Sequence, residues 1–368
     1  MKLSCTQENL NHSLSLVSHL TPKTHHLPIL SNILLNADNN QLEIKVTNLE
    51  IGIKTLVRAR VDQQGSFTVH GKLFSDLIAL LEHDKVELET KDNQLLISSG
   101  KSINKLNGLP SEDFPVLPTI TVRNSSFKVK MSILKEAVLQ VVFATSQDES
   151  RPEISGVLWV FKKNELTLVA TDSYRLAEKK VPLIENTSTE DLQLIVPLRT
   201  TQEVVRVFEG EDELVIHYGE NQLLFMGETT ELISRIIEGK YPDYAQIIPS
   251  SPSLEVTIQK DEAIRALKLA GLFTRSGLNH VDVIFNSKEN VVNMVSSTTQ
   301  VGESTLNIDG VFKGGDVDSI TFDWRYLLSG IEAVQGQAIT MYISSPQSPA
   351  LLRGIDQAYL YLLMPIRK

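Results

Sequence analysis

One cysteine in 368 residues excludes an internal disulfide and agrees with a reducing compartment; Cys5 reads as a small apolar filler. Long hydrophobic runs are missing too, which excludes a helical membrane span. The opening MKLSCTQENL has a lysine but no apolar segment behind it, so it is not a secretory signal and Cys5 is not a lipid-attachment site. A cytoplasmic location is the expectation. Basic residues are scarce: 35 Lys and Arg face 45 Asp and Glu, for a net charge of −10. Such a balance argues against nucleic acid as a partner, because affinity for phosphates comes largely from lysine and arginine. The deficit is uneven, at −2 over residues 1–122, −6 over 123–250 and −2 over 251–368, with the run EGEDE at Glu209–Glu213 reading as a solvated turn.

Catalytic patterns are also lacking. GKLFS at Gly71–Ser75 has neither the upstream glycine of a phosphate loop nor a Ser or Thr directly after its lysine. His25 and His26 are adjacent and have no ligand-spaced companions, so they read as loop residues. Ser173 beside Asp172 has no glycine-flanked elbow, and a serine next to an aspartate is turn chemistry. A binding or scaffolding protein is expected, with no cofactor and no metal. An enzyme built on a repeated α+β scaffold, with a site assembled from distant residues, stays open as a second class.

What the chain does have is repetition. NQLLISSG at Asn93–Gly100 returns as NQLLFMGE at Asn221–Glu228, 128 positions on. Leu10, Leu14 and Val17 have counterparts 124 positions on in Leu134, Val138 and Val141, each trio an apolar helix stripe. Asn40 maps to Asn164 at the same offset of 124, and Asn290 lies 126 further. The third copy is more diverged, with Ile264, Leu267 and Gly271 on its first helix. A second helix is expected in each third, through Phe74, Leu77 and Leu81, then Val204 and Phe208, then Leu327, Ile331 and Val334. Segments such as LEIKV and LTLVA alternate, as antiparallel sheets with one wet face do. Proline-bearing joints around Pro115 and Pro118 and around Pro242–Pro252 separate three α+β domains, 1–122, 123–250 and 251–368. Equivalent units rotated by similar steps make an arc that stays open, extends as a filament or closes with copies of itself.

The ordered set LPIL at Leu27, LPSEDFP at Leu109, ESRPEISGV at Glu149, VATDSYRLA at Val169, YPDY at Tyr241 and YLLMPIRK at Tyr361 resembles the bacterial DNA polymerase III beta subunit family, the sliding clamps. The matches span nearly the whole chain. The resemblance implies three similar clamp domains per chain and a head-to-tail homodimer closing a six-domain ring around double-stranded DNA, held without sequence preference. It implies no bond chemistry, and as partners the replicative polymerase, the clamp loader, repair polymerases and mismatch repair proteins; no membrane. It also resolves the charge puzzle: an acidic exterior repels DNA while a modestly basic bore holds it loosely.

Carried over by position, Lys23, Lys72, Gln147 and Arg199 face DNA, with Arg265 and Lys268 as additions on spacing alone. Thr171, Tyr174, Arg175, Leu176, Pro242, Leu362, Met364, Pro365 and Ile366 wall the partner-peptide pocket. An apolar chain end, YLLMP, must be docked, because undocked termini fray. Leu106, Leu272 and Phe273 fall at the subunit contact, with Asn104 where an aromatic residue is possible in relatives. Tyr174 stands where many members have histidine, Lys368 ends the chain after Arg367, and Ala245 and Gln246 follow Pro242 where some carry arginine, so a less basic rim is expected. A repeat scaffold that never encircles DNA is the remaining rival.

Overall fold

A computed structural model of the chain describes residues 1–21, 27–82, 85–120, 125–148, 150–219, 221–249, 251–274, 279–298 and 302–367. Among these residues the helices are α1 (Gln7–Val17), α2 (Gly71–Ala79), α3 (Met131–Val141), α4 (Leu198–Val207), α5 (Lys260–Leu272) and α6 (Trp324–Ala333). The expected stripes of α1 and α3 are buried in full. In α2 the buried pair is Phe74 and Ile78, while Leu77 is half-buried and Leu81 lies past the helix end, so the face is turned by one position. In α5 the buried set is Ala263, Ala266, Leu267 and Ala270. Small side chains there allow close packing: a Cβ added to Gly271 would meet the Trp324 ring at 2.8 Å. GKLFS is the first turn of α2, its Leu73 N–H capped by His70 Nδ1 at 3.3 Å, so these residues start a helix. The His25 and His26 pair lies outside the described residues.

In the pairs α1/α2 and α5/α6 the second helix ends against a side chain from the first. Gln7 donates to the Ile78 carbonyl at 2.7 Å, and Lys260 donates to the carbonyls of Glu332 (3.0 Å) and Val334 (2.6 Å). These long-range caps satisfy carbonyls that a helix terminus leaves unpaired.

The fold divides into two units, the first made of Met1–Ser132, Leu183–Thr189 and Gln202–Ile236, the second of Ile133–Pro182, Glu190–Thr201 and Ile237–Lys368. The middle third of the sequence contributes to both. Each unit holds one antiparallel sheet, of 14 strands in the first and 12 in the second. Cys5 is buried in the first, and burial pushes its thiol up to about 12, as suits an inert filler.

One junction recurs in both units. In the first, strand Ile51–Arg58 pairs with Thr230–Arg235, placing Thr55 opposite Thr230. In the second, Arg175–Pro182 pairs with Tyr359–Leu363, placing Lys179 opposite Tyr359. Thr55 and Lys179 are 124 positions apart, the offset of the repeat. Helix contacts accompany both junctions: Arg206 donates to the carbonyls of Ser15 (3.2 Å) and Leu16 (2.6 Å) in the first unit, and Gln140 to that of Ala333 (2.9 Å) in the second.

Candidate functional site

The second unit carries a groove built around one turn. Strands Glu165–Thr171 and Arg175–Pro182 are joined through Asp172, Ser173 and Tyr174. Asp172 Oδ1 accepts the N–H groups of Tyr174 and Arg175, both at 3.0 Å, and Thr171 Oγ1 donates to the Arg175 carbonyl at 2.6 Å while accepting the Ser173 N–H at 3.1 Å. The sequence reading of Asp172 and Ser173 as turn chemistry therefore agrees with the structure. The first unit repeats the same bonds at Thr47, Asn48 and Leu49, and Leu49 and Ser173 share a φ of +78°. The turn belongs to the repeat; what distinguishes the groove is the side chains that the turn displays.

Arg175 is locked in place. Its Nε pairs with Asp172 Oδ2 at 2.9 Å, its Nη2 donates to the Phe143 carbonyl at 2.7 Å, and its guanidinium lies 4.3 Å from the Tyr326 ring centroid. With the side chain only 14% exposed, Arg175 orders the groove wall and its charge is already matched by Asp172. Tyr174 stacks on Tyr326 with centroids 6.5 Å apart and remains 63% exposed. Tyr361 is buried beneath and donates to the Tyr326 carbonyl at 2.7 Å; burial raises its phenol above the ordinary range, against the opposing charge of Arg175.

Of the nine groove residues expected from sequence, Thr171, Arg175, Leu176, Pro242, Leu362 and Met364 line a cavity of ≈ 160 Å³. Leu362 is fully buried in the apolar cluster beneath it, and half-buried Met364 packs on that cluster. Tyr174, Pro365 and Ile366 lie off the cavity wall. The chain end is docked as expected, since Met364 N–H donates to the Tyr174 carbonyl at 2.9 Å and Ile366 N–H to the Thr321 carbonyl at 2.8 Å. Arg151, Ser173, Asp243, Tyr244 and Ile247 also line the cavity and were not singled out as groove residues. The available signal was that Arg151 and Tyr244 sit inside the ESRPEISGV and YPDY stretches. Burial pushes the Tyr244 phenol up, and Glu178, by charge and hydrogen bond, pushes it further.

A larger cavity, ≈ 660 Å³, lies under residues 111–120 in the first unit. Four of its charged groups pair with one another, Lys45 with Glu43 at 2.6 Å and Lys54 with Glu231 at 2.9 Å. Gly52 stands there where the repeat places Leu176, and a Cβ at Gly52 would meet Leu117 Cδ2 at 2.7 Å, so the chain's own linker fills that floor. The smaller cavity is the better candidate because its wall carries Ser173, Arg151 and the locked Arg175.

Lys23 lies outside the described residues. Lys72 is exposed on α2 and paired with Asp76 at 2.6 Å. Gln147 is exposed in the loop after α3, and Arg199 is exposed on α4 with no ion-pair partner among the described residues. On α5, Arg265 is exposed and Lys268 pairs with Glu332 at 3.1 Å.

Besides the terminal strands of the two sheets, Ser102–Leu109 and Gly302–Gly314 each leave part of one side unpaired among the described residues. Ser102–Leu109 pairs along one side with Gln94–Ser99, but on the other only Gly108 and Leu109 find a partner strand. Gly302–Gly314 pairs with Val291–Thr298 over 302–309, and its other side is taken only over 310–314. Leu106 is 9% exposed, Leu272 is 69% exposed at the end of α5, and a Cβ at Gly302 would lie 3.9 Å from the half-buried Phe273 ring.

Repeated α+β domains joined edge to edge define a scaffold of the DNA-clamp class. The sequence matches the DNA polymerase III beta subunit N-terminal domain over residues 1–118, the central domain over 128–243 and the C-terminal domain over 245–367. It is 30% identical over 369 residues to the beta sliding clamp of Staphylococcus aureus (strain COL), covering 97% of this chain and 96% of that one. The solved DNA polymerase III beta subunit of Thermotoga maritima shares 27% identity with a TM-score of 0.93, and the sliding clamp of Bacillus subtilis 26% with 0.94, each covering 100% of this chain and 99% of the other. The chain belongs to the bacterial DNA polymerase III beta subunit family, and it is a non-catalytic DNA sliding clamp with three clamp domains.

Proposed function

We propose that two copies of this chain join head to tail into a ring around duplex DNA. Its domains then run 1–122, 123–250 and 251–368, and the ring works in the cytoplasm as the processivity factor of the replicative polymerase. One observation carries the assembly. The junction that pairs Ile51–Arg58 with Thr230–Arg235, and Arg175–Pro182 with Tyr359–Leu363, leaves its two remaining counterparts, Gly302–Gly314 and Ser102–Leu109, each with a free edge. A second copy supplies the missing partner for both, and a head-to-tail pair closes by making that contact twice. Repeating the register of the internal junctions sets Leu306 opposite Ser102, Ser304 opposite Asn104, Glu303 opposite Lys105 and Gly302 opposite Leu106. In that register Phe273, beside Gly302, covers Leu106. Support for this reading also comes from the family, which shares the three-domain fold.

DNA passes through such a ring on weak, sequence-blind contacts, so retention is topological. Among the expected contacts Arg199 is the strongest, because Lys72 is already paired with Asp76. Arg199→Glu should therefore weaken salt-dependent DNA binding more than Lys72→Glu, each lowering the salt slope by about one. A salt-independent affinity, or the reverse order, counts against these contacts.

The groove of Thr171, Leu176, Pro242, Leu362 and Met364, flanked by Tyr174, Arg175, Pro365 and Ile366, takes a short apolar peptide from the polymerase, the clamp loader, repair polymerases or mismatch repair proteins. A flexible methionine at the wall suits several peptides. The test is anisotropy titration of a labelled peptide with a glutamine followed by spaced leucines and a phenylalanine. Wild type should bind saturably and Met364→Ala about tenfold more weakly, as the lost apolar contact implies. Equal binding by the variant removes Met364 from the groove, and no binding by folded wild type removes the tether.

A further inference from the structure

Ser173 bears a side chain in left-handed backbone, φ +78°, a region that glycine and asparagine enter far more readily. The conformation itself is dictated by the turn, because Leu49 in the first repeat has the same φ and the same side-chain hydrogen bonds. What each strained residue holds is different. Leu49 is 51% exposed, and Leu27, which the repeat aligns with Arg151, is equally apolar. Ser173 Oγ instead accepts from Arg151 Nη1 at 2.7 Å, and Arg151 Nε pairs with Glu153 Oε1 at 3.3 Å.

The guanidinium of Arg151 is thus held at two nitrogens on the cavity wall, with Nη2 left without a partner among the described residues. Arg175 is matched by Asp172, while Asp243, which accepts from Gln246 at 2.7 Å, keeps its negative charge on the same wall. Both arginines are ion-paired, but Arg151, 45% exposed against 14% for Arg175, is the one an incoming peptide can reach.

We infer that Ser173 is a positioning residue that sets the charge preference of the groove. By fixing Arg151 at the wall, it makes the groove favour peptides with a carboxylate beside the apolar anchors over their amide twins. The inference rests on the peptide-groove reading above.

Two labelled peptides with the same anchors, differing in one flanking Asp or Asn, test it against wild type, Ser173→Gly, Ser173→Asn and Arg151→Gln. Wild type should bind the Asp peptide about three- to fivefold more tightly at low salt, as for a partly exposed ion pair, and the ratio should fall toward one as salt rises. Ser173→Gly, whose backbone suits the turn, should lose the ratio whatever its absolute affinity. Ser173→Asn tolerates the same backbone and offers a carbonyl oxygen to Arg151, so it should retain the ratio, and Arg151→Gln should abolish it. A full ratio in Ser173→Gly, or a wild-type ratio of one, overturns the inference while leaving the groove standing. Failure of both peptides to bind folded wild type overturns the groove and the inference with it.

Discussion

Phe273→Ala should release single chains at concentrations where wild type sediments as two, and Asn104→Leu should hold the pair together on further dilution. At the internal junctions the position equivalent to Asn104 is filled by Leu232 and Tyr361, both fully buried. Asn104 instead donates to Ser102 Oγ at 2.8 Å, and its register partner in the proposed contact is Ser304. The proposed contact between copies is therefore more polar than either junction within the chain, and in that register its apolar content falls on Phe273, Leu272 and Leu106. Truncating Phe273 should cost about 1–2 kcal/mol per contact. Because a head-to-tail ring of two chains contains that contact twice, the loss doubles, and the dissociation constant should rise about 30- to 1,000-fold. Charge gives an independent check on register. Lys105→Glu alone sets like charges opposite each other across the strand pair, and Lys105→Glu combined with Glu303→Lys restores the attraction. Analytical ultracentrifugation of the three forms decides it: an unshifted Phe273→Ala pair removes the interface, and a double variant as weak as the single one removes the register.

The repeat was legible because its signals are local. Leu10, Leu14 and Val17 sit one helical turn apart, and alternation in LEIKV and LTLVA needs no partner to be read. Where small residues carry the packing, as with Ala263, Ala266 and Ala270 in α5, the expected stripe held at Leu267 but was off by one position at Ile264 and Gly271. Strand pairing was not legible, since nothing local says that Ile51–Arg58 finds its neighbour nearly 180 residues away in Thr230–Arg235. For the groove, the family motif gave Leu176, Pro242, Leu362 and Met364, whose strands and tail bring them together. It missed Ile247, at the end of the short 3-10 helix Tyr244–Ile247 beyond the motif, and Ser173, which lies inside VATDSYRLA but reads as turn chemistry alone. Tyr174 was expected on the wall, but its ring turns to stack on Tyr326, a partner on α6 that no local pattern reveals.

Removing Asp356 should be the most damaging single change to the second unit. Lys179 occupies the junction position that Thr55 fills in the first repeat. There the pair is neutral, Thr55 and Thr230 sharing a buried hydroxyl hydrogen bond of 2.9 Å. Lys179 instead buries an ammonium, its side chain 8% exposed, in a short contact with Asp356 Oδ2, while Asp356 Oδ1 accepts the Ala358 N–H at 2.8 Å. Deleting one member of a buried pair leaves the other charge unmatched, so Asp356→Ala should cost about 3–5 kcal/mol, whereas Lys179→Met with Asp356→Leu, which removes both charges, should recover most of it. Burial alone would raise the Asp356 carboxyl, but the hydrogen bonds from Lys179 and the Ala358 N–H, with the Lys179 charge, hold it below its ordinary value of 3.8. A carboxylate depressed on folding contributes fully above that ordinary value and loses its contribution as pH falls through the lower, folded one. Wild type should accordingly lose stability in acid more steeply than the Lys179→Met, Asp356→Leu variant, with the two curves parallel near neutrality. Urea denaturation across pH reads both effects, and an Asp356→Ala variant within about 1 kcal/mol of wild type, the scale of a surface pair, would show that the junction does not depend on this ion pair.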